Sequence, residues 1–282
     1  MHPHNKISTL KLGLIGGNIA ASRAPDLHRL AGEIAGREVT YDRLVPDAMG
    51  LSFDDVFSQC EKTGYHGINV TYPYKELAAK KVTVSEPLVR AMGAVNTVLF
   101  DGEKPSGYNT DYSGFIAAFR NQFGEMVPGR TTLVGAGGAG RAIAFGLVAL
   151  GVSKLCIVEQ DRVRAEGLSN DLLSVAPTLE LSIGTDVATC ARDADGVVNC
   201  TPVGMVGHEG TAIPSEALGG QKWVFDAVYT PVDTQFLQDA KAAGIPQLSG
   251  YELFFFQGIQ AFRLFSGVNV VQSELRSRLL RP

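Results

Sequence analysis

Three short polar clusters and one glycine turn hold the residues best suited to chemistry. Asn69-Val70-Thr71-Tyr72-Pro73-Tyr74-Lys75 sets an amide and a hydroxyl ahead of a lysine. Gly93-Ala94-Val95-Asn96-Thr97 offers a second amide, and Gly107-Tyr108-Asn109-Thr110-Asp111 ends on an acid. Amides both donate and accept, and strand ends are where ligands usually meet such polar side chains. An amine and a carboxylate can relay a proton. Taken singly, each residue has a plainer reading. Lys75 reads as a surface lysine, Asn96 as a turn residue, and Asp111 as the N-cap of a helix over residues 112–123.

The fourth feature, Gly135-Ala136-Gly137-Gly138-Ala139-Gly140, fits GxGxxG. It follows a strand-like stretch at 131–134 and opens an apolar helix at 141–150, the context in which the pattern binds a dinucleotide. Gly135 permits the tight turn, Gly137 lets the backbone approach a pyrophosphate, and Gly140 lets helix and strand pack closely. The helix start at Gly138 and Ala139 offers N–H groups to phosphates. Glu159 lies 19 residues past Gly140, at the end of the next strand, where an acid hydrogen-bonds ribose hydroxyls. A carboxylate there repels a 2′-phosphate, so NAD is preferred over NADP. Arg162 and Arg164 oppose that preference, since either could pair with a phosphate.

Strands and helices that could position these groups alternate along the chain. Apolar runs at 10–15, 40–44, 67–70, 131–134, 154–158, 196–199, 223–228 and 247–249 read as strands. Helical periodicity covers 22–35, with Pro25 near its start and Leu27, Leu30, Ala31 and Ile34 on one face, and also 53–62, 76–80, 112–123, 141–150, 164–175 and 251–265. The alternation predicts an α/β fold. At 282 residues the chain is long enough for two cores, since single domains hold about 100–200 residues.

Composition narrows the partners. A net charge of -4 argues against a nucleic-acid binder held by bulk electrostatics. No run approaches the ~18 apolar residues of a membrane span. The opening residues 1–8 lack the apolar core of a secretory signal, and Cys60, Cys156, Cys190 and Cys200 form no CxxC pair, so reduced thiols in a cytoplasmic protein are expected. His2, His4, His28, His66 and His208 show no metal-ligand spacing, and no metal is expected. The sequence carries no signal for oligomeric state.

Taken together, the three polar clusters and the glycine turn resemble the shikimate/quinate dehydrogenase family, in which NVTxPxK, GAVNT and GxNTD recur in this order. The resemblance continues through Asn199-Cys200-Thr201-Pro202-Val203-Gly204-Met205, Asp226-Ala227-Val228-Tyr229-Thr230-Pro231 and Gly250 to Gln257, covering the chain from Gly13 to about Gly267. It implies two α/β domains with the active site in the cleft. Residues 1–110, completed by C-terminal helices at 250–282, would bind substrate; 111–124 would connect; 125–249 would form a Rossmann-type NAD(P) domain. It implies reversible oxidation of the ring hydroxyl of shikimate or quinate, a small-molecule substrate, by hydride transfer to nicotinamide.

By the same resemblance Lys75 is the general acid/base and Asp111 its orienting, proton-sharing partner. Asn69, Thr71, Asn96 and Gln257 match ring-hydroxyl positions, while Pro202, Met205, Ala212, Val228 and Gly250 match positions near the cofactor. Cys200 reads as a small strand-end residue rather than a nucleophile. One departure stands out: the family's carboxylate-binding loop usually carries two hydroxyl residues, but here Ser22-Arg23-Ala24-Pro25 keeps only Ser22. Tyr229 could compensate with its phenol. The 207–212 and 261–267 stretches look closer to the NAD-using quinate/shikimate branch. Two alternatives stay open: a relative acting on an altered, for example amino-substituted, cyclohexane acid, and a low-turnover nucleotide sensor with the same fold.

Overall fold

The computed structural model describes residues 9–280, so the opening stretch with His2 and His4 lies outside the described residues. In chain order the first elements are β1 (Leu10–Ile15), α1 (Ala24–Ile34), β2 (Val39–Leu44), α2 (Pro46–Met49), α3 (Phe53–Lys62), β3 (Gly67–Val70), α4 (Lys75–Ala79), α5 (Pro87–Met92), β4 (Thr97–Leu99) and β5 (Ser106–Tyr108). There follow α6 (Thr110–Phe123), β6 (Arg130–Val134), α7 (Gly138–Ala149), β7 (Lys154–Val158), α8 (Arg162–Val175), β8 (Glu180–Gly184), α9 (Val187–Arg192) and β9 (Gly196–Asn199). The chain closes with β10 (Trp223–Asp226), α10 (Gln235–Ala242), β11 (Gln247–Leu248), α11 (Gly250–Ser266) and α12 (Gln272–Leu279).

These elements form two units. One holds the described residues up to Thr110 together with those from Gln257 onward, and the other spans Asp111–Phe256. The division therefore runs through α6 and α11, and residues 250–256 group with the second unit.

The first unit is built on a five-stranded sheet in the order β2-β1-β3-β4-β5, with β1, β2 and β3 parallel and β4 antiparallel to both its neighbours. All four residues of β3 are buried, as a strand covered on both faces requires. Phe53, Val56, Phe57 and Cys60 of α3 pack under it with Ile68, Val95 and Val98. A capping box fixes the start of α3, with Ser52 accepting from the Asp55 N–H and Asp55 answering at the Ser52 N–H. The part of α11 from Gln257 onward, together with α12, completes this unit, whereas the whole stretch from 250 was expected to do so. A Cβ at Gly258 of α11 would lie 2.5 Å from Leu27, and one at Gly67 would lie 2.5 Å from Phe265, so both contacts depend on missing side chains.

The second unit carries six parallel strands in the order β11-β10-β9-β6-β7-β8. Counted from β6, that is the 3-2-1-4-5-6 winding of a dinucleotide-binding fold. Strand order reverses between β6 and β9 here, and between β1 and β3 in the first unit. In open α/β sheets ligands bind beyond the carboxyl ends of strands at such reversals. Among the described residues no helix is long and apolar enough to cross a membrane, and no group of three or more potential metal ligands occurs.

The sequence expectations shift in a few places. The helix expected at 112–123 begins at Thr110, so Asp111 lies within its first turn rather than at its N-cap. The strand expected at 223–228 stops at Asp226, where the chain turns to meet Asn199 and Thr234. α2, α5, β5, β8, α9 and α10 had no counterpart among the expected elements.

Candidate active site

In the first unit the loops after β1 and β3 are bonded to each other. The Thr71 N–H donates to the Ile15 carbonyl (2.9 Å) and the Gly17 N–H to the Tyr72 carbonyl (3.0 Å). Gly16 makes this possible, since a Cβ there would lie 2.4 Å from the Thr71 methyl. Beyond this junction Lys75 opens α4, and its carbonyl accepts from the Val95 N–H at 3.0 Å. The backbone carrying the lysine is thereby tied to the segment carrying Asn96.

Asn69 and Asn96 lie in one buried network. Asn69 Nδ2 donates to the Asn96 carbonyl (3.3 Å) and to Thr97 Oγ1 (3.1 Å), while its Oδ1 accepts from the Tyr41 hydroxyl (2.8 Å). Asn96 Oδ1 accepts from the Thr110 N–H (2.7 Å) and the Thr97 hydroxyl (2.9 Å), with the Thr110 hydroxyl at 3.1 Å. A backbone N–H can only donate, so it fixes which end of the Asn96 amide faces Thr110. Thr110 Oγ1 also lies 3.5 Å from Gln257 Oε1. Three predicted residues thus meet through Thr97 and Thr110, to which the sequence reading gave no role.

Tyr41 and His28 were missed as well. Their rings stack at 4.9 Å, and burial holds His28 down to about 3, so it is neutral, and pushes the Tyr41 phenol up. A buried histidine on the inner face of α1 was the available signal. Nearby, Ser22 Oγ accepts from the Ala24 N–H (3.3 Å), Ala24 being the first residue of α1. Arg23 donates to the Leu279 carbonyl at 2.6 Å, so its guanidinium caps the end of α12.

In the second unit the glycine turn follows β6. Gly135 has φ +96°, and a Cβ there would lie 2.9 Å from the Cys200 carbonyl carbon. A Cβ at Gly140 would lie 2.0 Å from the Gly135 carbonyl oxygen, whereas one at Gly137 would meet nothing within 4 Å. Gly137 caps α7 without a side-chain hydrogen bond, ahead of Gly138 and Ala139 in the first turn. Glu159 comes directly to this turn, with Oε2 accepting from the Ala136 N–H (2.8 Å) and Oε1 from the Asp161 N–H (3.1 Å).

The basic residues nearby are mostly engaged. Arg141 forms a forked ion pair with Asp171, and Arg162 pairs with Glu166 at 2.7 Å. Arg164 is exposed on the first turn of α8, its backbone N–H held by Asp161. Beyond β9, the Pro202 carbonyl accepts from the Met205 N–H (3.0 Å), and Ala212 packs on the domain core. A Cβ at Gly250 would lie 2.4 Å from the Val228 carbonyl oxygen, so these two backbones touch. Tyr229 stacks on Phe254 at 5.2 Å. Asp111 sits half-buried in the first turn of α6.

Residues 14–98 match the family model described as the shikimate dehydrogenase substrate binding domain. The chain is 37% identical to a quinate/shikimate dehydrogenase (NAD(+)) of Corynebacterium efficiens, covering 96% of this chain and 98% of the relative. It belongs to the shikimate/quinate dehydrogenase family. A shikimate dehydrogenase (NADP(+)) of Pseudarthrobacter chlorophenolicus is 35% identical over 95% of this chain and 94% of its own. Quinate dehydrogenase from Corynebacterium glutamicum, solved in complex with NAD, matches with a TM-score of 0.90 at 33% identity, covering 96% and 99% of the two chains.

As a member of the shikimate/quinate dehydrogenase family the protein is an oxidoreductase that uses a nicotinamide cofactor. The turn fits such a group on its own geometry. The face above Gly137 is open to a pyrophosphate, the helix start behind it is uncapped, and an acid stands beside it for a ribose.

Proposed function

We propose that the protein reversibly oxidises the ring hydroxyl of shikimate or quinate to the 3-dehydro ketone and prefers NAD over NADP. The observation that carries this reading is the assembly beyond β3, where the Lys75 backbone, Asn69, Asn96 and Gln257 are joined by hydrogen bonds at the strand-order reversal of the first unit. The first unit is the substrate domain and the second the dinucleotide domain.

In this reading Asn69, Thr71, Asn96 and Gln257 hold ring hydroxyls, with the Asn96 Nδ2 group as a donor. Ser22 and Tyr229 serve the substrate carboxylate. Lys75 takes the hydroxyl proton as the carbonyl forms and returns it in the reverse direction, and Asp111 orients the amine and shares the proton. Nicotinamide, when bound, accepts the hydride. Gly135, Gly137, Gly138, Ala139 and Gly140 cradle the pyrophosphate, and Pro202, Met205, Ala212, Val228 and Gly250 line the remainder of the dinucleotide. The NAD preference rests on Glu159, whose carboxylate is fixed at the glycine turn, while Arg162 is drawn to Glu166 and leaves Arg164 as the one opposing cation of the pair.

Steady-state kinetics crossing shikimate and quinate with NAD and NADP test all of this together. The expected result is turnover of at least one acid with kcat/KM for NAD at least about tenfold above NADP, as a like-charge clash costing ~1.4 kcal/mol or more would give. Equal efficiency with both cofactors would remove Glu159 as the selector. Turnover of neither acid would redirect the assignment to an altered cyclohexane acid.

A further inference from the structure

Among the described residues Asp226 is the one acid that is buried, and Asn199 and Thr234 are sealed in with it. Its carboxylate receives three donors. Oδ1 accepts from Asn199 Nδ2 (3.0 Å) and from the Val228 N–H (3.0 Å), and Oδ2 accepts from the Thr234 hydroxyl (2.6 Å). None of the three can reverse its role easily. The Val228 N–H only donates, and the Thr234 oxygen accepts from the Leu237 N–H (3.3 Å), leaving its proton for Asp226. Burial pushes the carboxyl up to about 6, and the three donors pull the other way.

Asn199 passes this constraint to the loop beyond β9. Its Nδ2 also donates to the Val203 carbonyl (3.1 Å), and its Oδ1 accepts from the Thr201 N–H (3.0 Å) and the Thr201 hydroxyl (2.7 Å). Thr201 Oγ1 in turn accepts from the Val203 N–H (3.2 Å). The loop thus folded lies against the glycine turn. The Cys200 N–H donates to the Val134 carbonyl (2.7 Å), and the Cys200 carbonyl and Thr201 methyl occupy the space a Cβ at Gly135 would need.

We propose that Asp226 is a positioning residue of the cofactor site, holding the 200–205 loop through Asn199 and Thr201 in the shape on which the nicotinamide end of the dinucleotide rests. This deepens the function proposed above and rests on it. A dinucleotide fold has two mononucleotide halves. The half from β6 to β8 carries the glycine turn and Glu159 for the adenosine end, which leaves the half from β9 to β11 for the nicotinamide. Asp226→Asn keeps the size but exchanges an acceptor oxygen for an NH2 group. That group would face either Thr234, or Asn199 and Val228, all of which are donating. If Asn199 flipped to accommodate it, its NH2 would turn toward the Thr201 donors and the loop would lose its internal bonds.

The test is calorimetric titration of wild type, Asp226→Asn and Thr201→Val with NAD and with ADP-ribose, which lacks the nicotinamide. Both variants should weaken NAD by about tenfold, the cost of one mispaired buried group, with Thr201→Val at the lower end. ADP-ribose affinity should stay within about threefold, and the KM for the acid substrate should move far less than that for NAD. NAD binding like wild type by folded Asp226→Asn, or equal loss of NAD and ADP-ribose, would overturn the proposal. Should Asp226→Asn fail to fold, Thr201→Val decides by the same two outcomes. A wild-type protein that binds neither ligand would instead sink the dehydrogenase reading itself.

Discussion

Lys75→Ala takes away the amine that the proposed mechanism uses to receive the ring-hydroxyl proton while leaving the Val95 bond to its carbonyl in place. General acid–base catalysis supplies on the order of 10²–10⁴ in rate, so kcat should fall by at least about 10²-fold with KM little changed. Steady-state kinetics would read this, and retention of more than about a tenth of kcat would take Lys75 out of the mechanism. Ala24→Ser restores a hydroxyl in the loop beside Ser22. A hydrogen bond to a charged group contributes roughly 1.5–3 kcal/mol, so the KM for shikimate or quinate should drop by about tenfold or more. Unchanged kinetics would show that the loop does not limit affinity. Candidate residues of this kind became legible only through the family resemblance of their motifs, since singly Lys75 reads as a surface lysine and Asn96 as a turn residue. Tyr41 was not, because an aromatic residue in a strand reads as core, and only the structure shows its hydroxyl aimed at Asn69. Asp111 was half legible: its helix was recognised, but the first turn started earlier than a capping role allowed.

The glycine turn separates two kinds of small residue. Gly140→Ala places a methyl 2.0 Å from a backbone oxygen, so the turn must open or the helix retreat. Thermal melts should show a loss of about 1–3 kcal/mol, the usual cost of overpacking. Gly137→Ala meets nothing in the protein, so its Tm should match wild type while NAD affinity should fall, because the methyl would stand on the face proposed for the pyrophosphate. Equal melting of both variants would contradict this division. The turn was readable because its strand and helix have clear apolar runs. β8 was not: it pairs only with β7, and its Glu180-Leu181-Ser182-Ile183-Gly184 run stays partly exposed, so it lacks the apolar run of a central strand. The short helices α5 and α9 offer too few turns for a periodic signal.

For the molecule as a whole, acid should act through groups whose native and unfolded protonation differ. Asp195 accepts from the Arg130 N–H and guanidinium and pairs with Lys222, which holds its carboxyl down at about 2, against 3.8 without them. A carboxylate depressed by folding stabilises above its unfolded value, and that contribution is lost as pH falls from about 4 to about 2. Asp195→Asn should therefore cost about 1 kcal/mol at pH 7 after screening, and little at pH 2. Denaturant melts followed by Trp223, the chain's one tryptophan, would measure it, and a pH-independent difference would refute the assignment. The alternation of strands and helices made the α/β architecture legible. The division after Phe256 was not, because α11 runs through it without a break in hydrophobicity. That interrupted first unit has a consequence during synthesis. Its closing residues leave the ribosome only after the whole of Asp111–Phe256, so the unit begun first is finished last. At typical elongation rates the nascent surfaces around Leu27 and Gly67 wait uncovered for on the order of 10 s, long enough for the later-made unit to fold ahead of its predecessor.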